Sequence, residues 1–197
     1  MPKTRVEAFS DGVIAILITI MVLDLRTPAG TSWHALGHLL PVLLAYVLSF
    51  VYLGIYWNNH HHMLAAVSRV SGATLWANLH LLFWLSLIPF STGWMSEHSF
   101  PGVPTAVYGI VLLAAGLAYY ILQTTLLRAE GPDSTLRAAI GSDLKGKLSP
   151  LLYCIGIALA LTASRWLGLA VYTGVALIWL VPDRRVERHL TEPPATK

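Results

Sequence analysis

Charged residues and cysteine are both scarce in this chain. Asp, Glu, Lys and Arg make up 12% of its 197 residues, whereas a soluble domain usually carries about a quarter. The single cysteine, Cys154, excludes an intrachain disulfide and a cysteine-rich metal framework. The sequence also lacks a glycine-rich phosphate loop and a paired nucleophile and base. We therefore expect neither an enzyme nor a resident metal or cofactor.

Long apolar runs take the place of charge. The chain is 55% hydrophobic, its mean hydropathy is +0.62, and its repeated runs are long enough to cross a bilayer as helices. The composition predicts an all-α integral membrane protein with six transmembrane helices in one domain, residues 1–182, followed by a cytoplasmic tail, 183–197. The predicted spans are about 5–25, 34–60, 72–95, 103–127, 148–165 and 167–182.

The distribution of the basic residues agrees with six spans. With six spans, both termini lie on one side of the membrane, together with the loops after the second and fourth spans. Of the 13 lysines and arginines, all but Arg26 and Arg165 then fall on that side. Because basic loops stay inside, we expect both termini in the cytoplasm. The net charge of +3 needs no nucleic-acid partner.

The first predicted span places a carboxylate, Asp11, within its opening turns. Charge inside a membrane is costly and usually functional. At about 100° per residue, Ile16, Ile20 and Leu23 share one stripe with Thr19 at its edge, and Asp11 projects roughly 140° away from Ile16. Either Asp11 faces an aqueous path while the stripe packs, or the stripe lines the axis of an oligomer while neighbouring helices hold Asp11.

Three segments carry a family resemblance. The first span opens with R-x-x-x-F-S-D, the second contains W-x-N-H-H, and the third contains an asparagine followed later by Pro-Phe. In this order they resemble the transmembrane protein 175 family, potassium channels of prokaryotes and lysosomes. The likeness covers the first three spans; the last three match only in length and hydrophobicity. The residues concerned are Arg5, Phe9, Ser10, Asp11, Trp57, Asn59, His60 and Asn78.

The resemblance implies a homotetramer in a prokaryotic plasma membrane, with the first helices around a four-fold axis. It implies a hydrophobic pore constriction at Ile16, Ile20 and Leu23, and a hydroxyl linked to potassium preference at Thr19. The eight motif residues would hold the pore helix to the next two spans. The expected function is passive, potassium-preferring cation conduction, with K⁺ as the permeant ion and with other copies of the chain and membrane lipid as partners.

A proton-coupled secondary transporter is the alternative. It would use Asp11 and the histidines at positions 60–62 as a relay, since imidazole titrates near neutral pH. Such transporters typically contain inverted repeats and broken helices at the midplane. The sequence shows neither feature, and it also lacks the Thr-Val-Gly-Tyr-Gly segment of a carbonyl selectivity filter.

Overall fold

The computed structural model describes residues 3–68, 70–131 and 144–180, and in these ranges the regular secondary structure is helical. The predicted tail, 183–197, and most of the segment between the fourth and fifth spans lie outside the described residues. We number the helices in chain order. They are α1 Lys3–Leu23, α2 Trp33–Gly37, α3 Leu40–Ala65, α4 Gly72–Ser86, α5 Ile88–Glu97, α6 Gly102–Glu130, α7 Leu144–Thr162 and α8 Arg165–Leu180.

Among the residues that the structure describes, five helical segments are long and apolar enough to cross a membrane, counting α4 and α5 as one segment, Gly72–Glu97. The described part of the chain is therefore helical and has the long apolar helices of an integral membrane protein. The sixth predicted span corresponds to α8, which is apolar but only 16 residues long. A helix of that length extends about 24 Å, against roughly 30 Å for the hydrocarbon core.

Two predicted spans are interrupted near prolines. The predicted span 34–60 divides into α2 and α3, and Pro41 lies in the first turn of α3. The predicted span 72–95 divides at Leu87, and Pro89 lies in the first turn of α5. Proline has no N–H to donate, so it is best tolerated at a helix start. Sequence reasoning predicted the extents of these two spans and did not anticipate the breaks within them.

The other boundaries differ by a few residues. Helix α3 continues to Ala65, so the three histidines lie inside it instead of ending it. The turn between α7 and α8 falls at 163–164, slightly before the predicted Arg165–Trp166. Helix α6 ends at Glu130 and is capped by Gly131, whose φ of 92° is a backbone conformation that glycine adopts without steric cost.

Helix α1 packs against α3, α4 and α5, while α6 joins α4 and α5 to α7 and α8. Tyr172 of α8 fills the contact between α6 and α7 at two glycines. A β-carbon on Gly156 would lie 2.5 Å from the Tyr172 ring, and one on Gly109 would collide with its hydroxyl. Small residues thus let these helices approach closely, as is common in membrane bundles.

Hydrogen bonds of hydroxyl groups hold α3 in the centre of the bundle. Ser49 Oγ lies 2.7 Å from Thr92 Oγ1 and 3.0 Å from Tyr108 Oη. Tyr52 Oη donates a 2.6 Å hydrogen bond to the carbonyl of Tyr172. Buried polar groups need such partners, and these contacts hold α3 to α5, α6 and α8. The helices α3 and α5, against which α1 packs, are therefore fixed to each other.

Candidate functional site

Helix α1 has one face buried in the bundle and one face exposed. The buried face carries Val6, Ser10, Ile14, Leu17 and Met21, at the three- and four-residue intervals of one helical side. The opposite face is exposed in the subunit. Within the described residues, no part of the subunit covers that face.

The predicted constriction residues all lie on this exposed face. Ile16 is 57% exposed, Ile20 43% and Leu23 80%. Thr19 is exposed beside them, and its hydroxyl hydrogen is directed to the α1 backbone, with Ala15 O and Ile16 O both at 3.0 Å. Its oxygen lone pairs therefore remain available to an outside cation. In the described residues the stripe does not pack within the subunit.

A buried polar group connects α1 to α4 and α3. Asn78 Nδ2 donates a 2.9 Å hydrogen bond to Ser10 Oγ, and Asn78 Oδ1 lies 2.8 Å from His60 Nε2. Since the oxygen of Asn78 can only accept, this contact requires the proton on His60 Nε2. All three side chains are at most 3% exposed. The three residues, from three predicted motifs, thus form one hydrogen-bonded chain.

Asp11 follows Ser10 in α1, and a residue of α3 forms a hydrogen bond with its carboxylate. Trp57 Nε1 donates a 3.0 Å hydrogen bond to Asp11 Oδ1. The indole also stacks on His61, with ring centroids 6.3 Å apart and planes tilted by 26°. Asp11 is therefore directed toward α3 and away from the exposed stripe, on the opposite side of α1 from Ile16.

Three of the eight predicted motif residues take no part in these hydrogen bonds between α1 and its neighbours α3 and α4. Arg5 and Phe9 are exposed and lie on the same face as Ile16, since four and seven residues return nearly to one side of a helix. The Asn59 side chain donates to the carbonyl of Ile55 in its own helix, and its own carbonyl accepts from Tyr119 of α6. Asn59 therefore faces the bundle interior behind α3.

Sequence reasoning missed a further anchor of α1. Lys3 Nζ donates to the carbonyls of Ala65 and Val67 at 3.3 and 3.1 Å, and lies 3.9 Å from a Glu7 carboxylate oxygen. A cation at the carboxyl end of a helix satisfies carbonyls that lack helical partners. The only sequence signal is the four-residue spacing of Lys3 and Glu7, which does not reveal the contact with α3.

Comparison with known proteins shows the family of this chain. Residues 5–89 match the model of the family described as "Endosomal/lysosomal potassium channel TMEM175". A potassium channel of Chryseobacterium sp. (strain P1-3) is 51% identical over 192 residues, which cover 98% of this chain and 100% of that protein. The chain belongs to the TMEM175 family.

Two further members extend the likeness beyond the first three spans. A potassium channel of Streptomyces collinus (strain DSM 40733 / Tue 365) is 37% identical over 171 residues, covering 81% of this chain and 83% of the relative. The crystal structure of a lysosomal potassium-selective channel TMEM175 homolog from Chamaesiphon minutus matches with a TM-score of 0.74 and 28% identity, covering 93% of this chain and 97% of that one. The TMEM175 fold therefore includes α6, α7 and α8.

Proposed function

We propose that this protein is a potassium-preferring cation channel. Four copies would surround an axis lined by the exposed face of α1, and ions would pass down their gradient. The names of the bacterial relatives and the potassium-selective homolog of the same fold support this function. Both termini would lie in the cytoplasm, and the membrane would be the plasma membrane of a prokaryote.

The exposed face of α1 is the observation that carries the proposal. A face turned toward lipid would be apolar throughout, because polar groups in hydrocarbon are costly. This face instead mixes Ile16, Ile20 and Leu23 with Thr19 and Arg5. Such a mixture suits a narrow path in which apolar collars alternate with sites for a hydrated ion.

Gating would depend on the isoleucine collar. Four Ile16 side chains around an axis would exclude water from a closed pore, since an ion cannot lose its hydration shell to hydrocarbon without compensation. Opening would require α1 to tilt or rotate. The hydrogen bonds of Ser10 and Asp11 on the opposite face would fix the resting position of the helix.

The ion preference would arise at Thr19. Four hydroxyl oxygens could contact a partly dehydrated cation, because each hydroxyl hydrogen is engaged by the backbone. A ring of single hydroxyls offers fewer ligands than stacked rings of backbone carbonyls, so we expect a modest preference for K⁺ over Na⁺.

Potassium flux into liposomes containing the purified protein tests the proposal. Wild type should pass K⁺ down a gradient, and Ile16→Asn, which hydrates the collar, should leak faster at rest. Ile110→Asn makes the same exchange at an exposed isoleucine of α6 and should behave like wild type. Flux that requires a proton gradient and ignores Ile16→Asn would favour the proton-coupled transporter instead.

A further inference from the structure

A groove opens between the end of α1, the first turn of α3 and one side of α5. Asp24, which directly follows α1, lines it together with Val42 of α3, and the rest of the lining comes from α5, residues 89–97. The volume of the groove is about 430 Å³, within the range of about 300–1,000 Å³ that is typical of small-molecule sites. The groove therefore has room for a small organic ligand.

Two aromatic rings lie next to each other in the wall of the groove. Phe90 and Trp94 are four residues apart, so they share one side of α5, and their ring centroids are 6.1 Å apart with planes tilted by 31°. Both rings remain accessible in the subunit, Phe90 at 62% exposure and Trp94 at 36%. The faces of such rings attract cations that come within about 6 Å, and proteins bind quaternary ammonium groups in this way. The pair of rings therefore favours a cationic ligand.

The charged residues of the lining are acidic. Asp24 and Glu97 both line the groove, and among its described lining residues none is basic. Arg26 Nη2 lies 3.7 Å from Glu97 Oε1, but the two side chains are 86% and 56% exposed, and an ion pair so open to water contributes little. A cation in the groove would therefore be favoured by charge as well as by the aromatic rings.

Neither a lipid chain nor a bare metal ion suits this lining equally well. A hydrocarbon chain would leave the two carboxylates without compensation. A metal ion such as Ca²⁺ would need several ligating oxygens, and the described residues contain no group of three or more His, Cys, Asp or Glu side chains that could hold one. An organic cation matches both the aromatic and the acidic parts of the groove.

We infer that this groove binds an organic ammonium cation. The alkylated nitrogen would lie against the rings of Phe90 and Trp94, and Asp24 and Glu97 would balance its charge. Binding does not depend on ion conduction. If α1 lines the pore as proposed, a cation bound next to Leu23 would also add positive charge at one end of that path and lower the K⁺ flux. This consequence alone rests on the proposed function.

Gly93 provides a means to fill the groove. It belongs to the lining, between Phe90 and Trp94 in the sequence, and a β-carbon on it would meet no atom within 4 Å. Gly93→Leu should therefore fold and occupy the space of the ligand. Gly174→Leu in α8 is the matched control, because a β-carbon on Gly174 would also meet no atom within 4 Å and this residue does not line the groove.

Isothermal titration calorimetry of the purified full chain in a non-ionic detergent tests the inference. Choline is the probe, and dimethylbutanol, in which carbon replaces the charged nitrogen, is its neutral counterpart. Wild type and Gly174→Leu should bind choline saturably and about tenfold more tightly than the alcohol. Trp94→Leu and Asp24→Asn should each weaken choline binding about three- to tenfold, and Gly93→Leu should abolish it. Trp76→Leu, the same exchange at an exposed tryptophan of α4, should leave the affinity unchanged.

Equal affinity for choline and the alcohol would overturn the inference, and so would an unchanged affinity for choline in Gly93→Leu and Trp94→Leu. Potassium flux into liposomes containing the same protein separates this failure from failure of the channel proposal. Flux without choline binding would contradict only the ammonium site, whereas choline binding without flux would contradict only the channel.

Discussion

Asn78 of α4 donates a 2.9 Å hydrogen bond to Ser10 of α1 at a point where both side chains are buried. One face of α1 is thereby fixed to its neighbours while the opposite face stays open. The proposed channel depends on this division, since a gate can be positioned only by contacts that do not themselves line the path.

Replacing Asn78 tests the strength of the buried chain. Asn78→Leu leaves the Ser10 hydroxyl and the His60 imidazole without their partner, and an unsatisfied buried group costs about 1–3 kcal/mol. We expect a lower melting temperature in detergent. Asn58→Leu, the same exchange at an exposed position of α3, is the control. Equal losses in the two variants would contradict the role of Asn78.

The contact between Asp11 and Trp57 should contribute to stability and assembly more than to conduction. Asp11→Ala and Trp57→Phe each remove one partner of a 3.0 Å hydrogen bond. Their effects on the free energy of unfolding should therefore be coupled, by about 0.5–3 kcal/mol in a double-mutant cycle. Single-channel recordings of assembled Asp11→Ala should show near-normal conductance. Intact assemblies with altered ion selectivity would instead place Asp11 in the ion path.

The Tyr172 hydroxyl is buried without a hydrogen-bond partner among the described residues. Tyr172→Phe should therefore leave stability unchanged or raise it, since an unpaired buried hydroxyl costs free energy. It should relieve Gly109→Ala only in part, because the new methyl group would meet that hydroxyl and also the Tyr172 ring carbon Cζ at 2.5 Å and Ile157 Cγ1 at 2.8 Å. It should not rescue Gly156→Ala, whose methyl would meet a ring carbon at 2.5 Å. Thermal melting of the four variants distinguishes these outcomes.

Ion preference should follow the hydroxyl at position 19. Thr19→Val keeps the side-chain shape but removes the oxygen, so we expect the K⁺/Na⁺ permeability ratio, measured from reversal potentials under bi-ionic conditions, to fall several-fold. Thr19→Ser keeps the oxygen and should retain most of the ratio. An unchanged ratio in Thr19→Val would assign selectivity to another part of the path.

Parts of this architecture could be predicted from sequence because they depend on local pattern. Long apolar runs located the membrane helices, and helical periodicity alone separated Asp11 from Ile16. The breaks at residues 38–39 and at Leu87 were not expected, although Pro41 and Pro89 follow them closely. A proline can either begin a new helix or kink a continuous one, and the sequence does not show which.

Contacts between distant helices were beyond such reasoning. The R-x-x-x-F-S-D motif suggests one structural unit, yet Ser10 is buried whereas Arg5 and Phe9 are exposed. Which motif residues are buried depends on where α3 and α4 pack against α1, and the motif itself does not show this. For the same reason the hydrogen bonds of Lys3 to the end of α3 could not be predicted, since they join residues that lie more than 60 positions apart in the chain.

Cysteine accessibility along α1 tests the central claim most directly. In a Cys154→Ala background, which removes the exposed native thiol, Ile16→Cys, Ile20→Cys and Leu23→Cys should each make the potassium current sensitive to block by a small aqueous thiol reagent. Ile18→Cys is half-buried on the Asp11 side of the helix and should remain insensitive. Block at Ile18 with none at Ile16 would contradict a pore lined by the exposed face of α1.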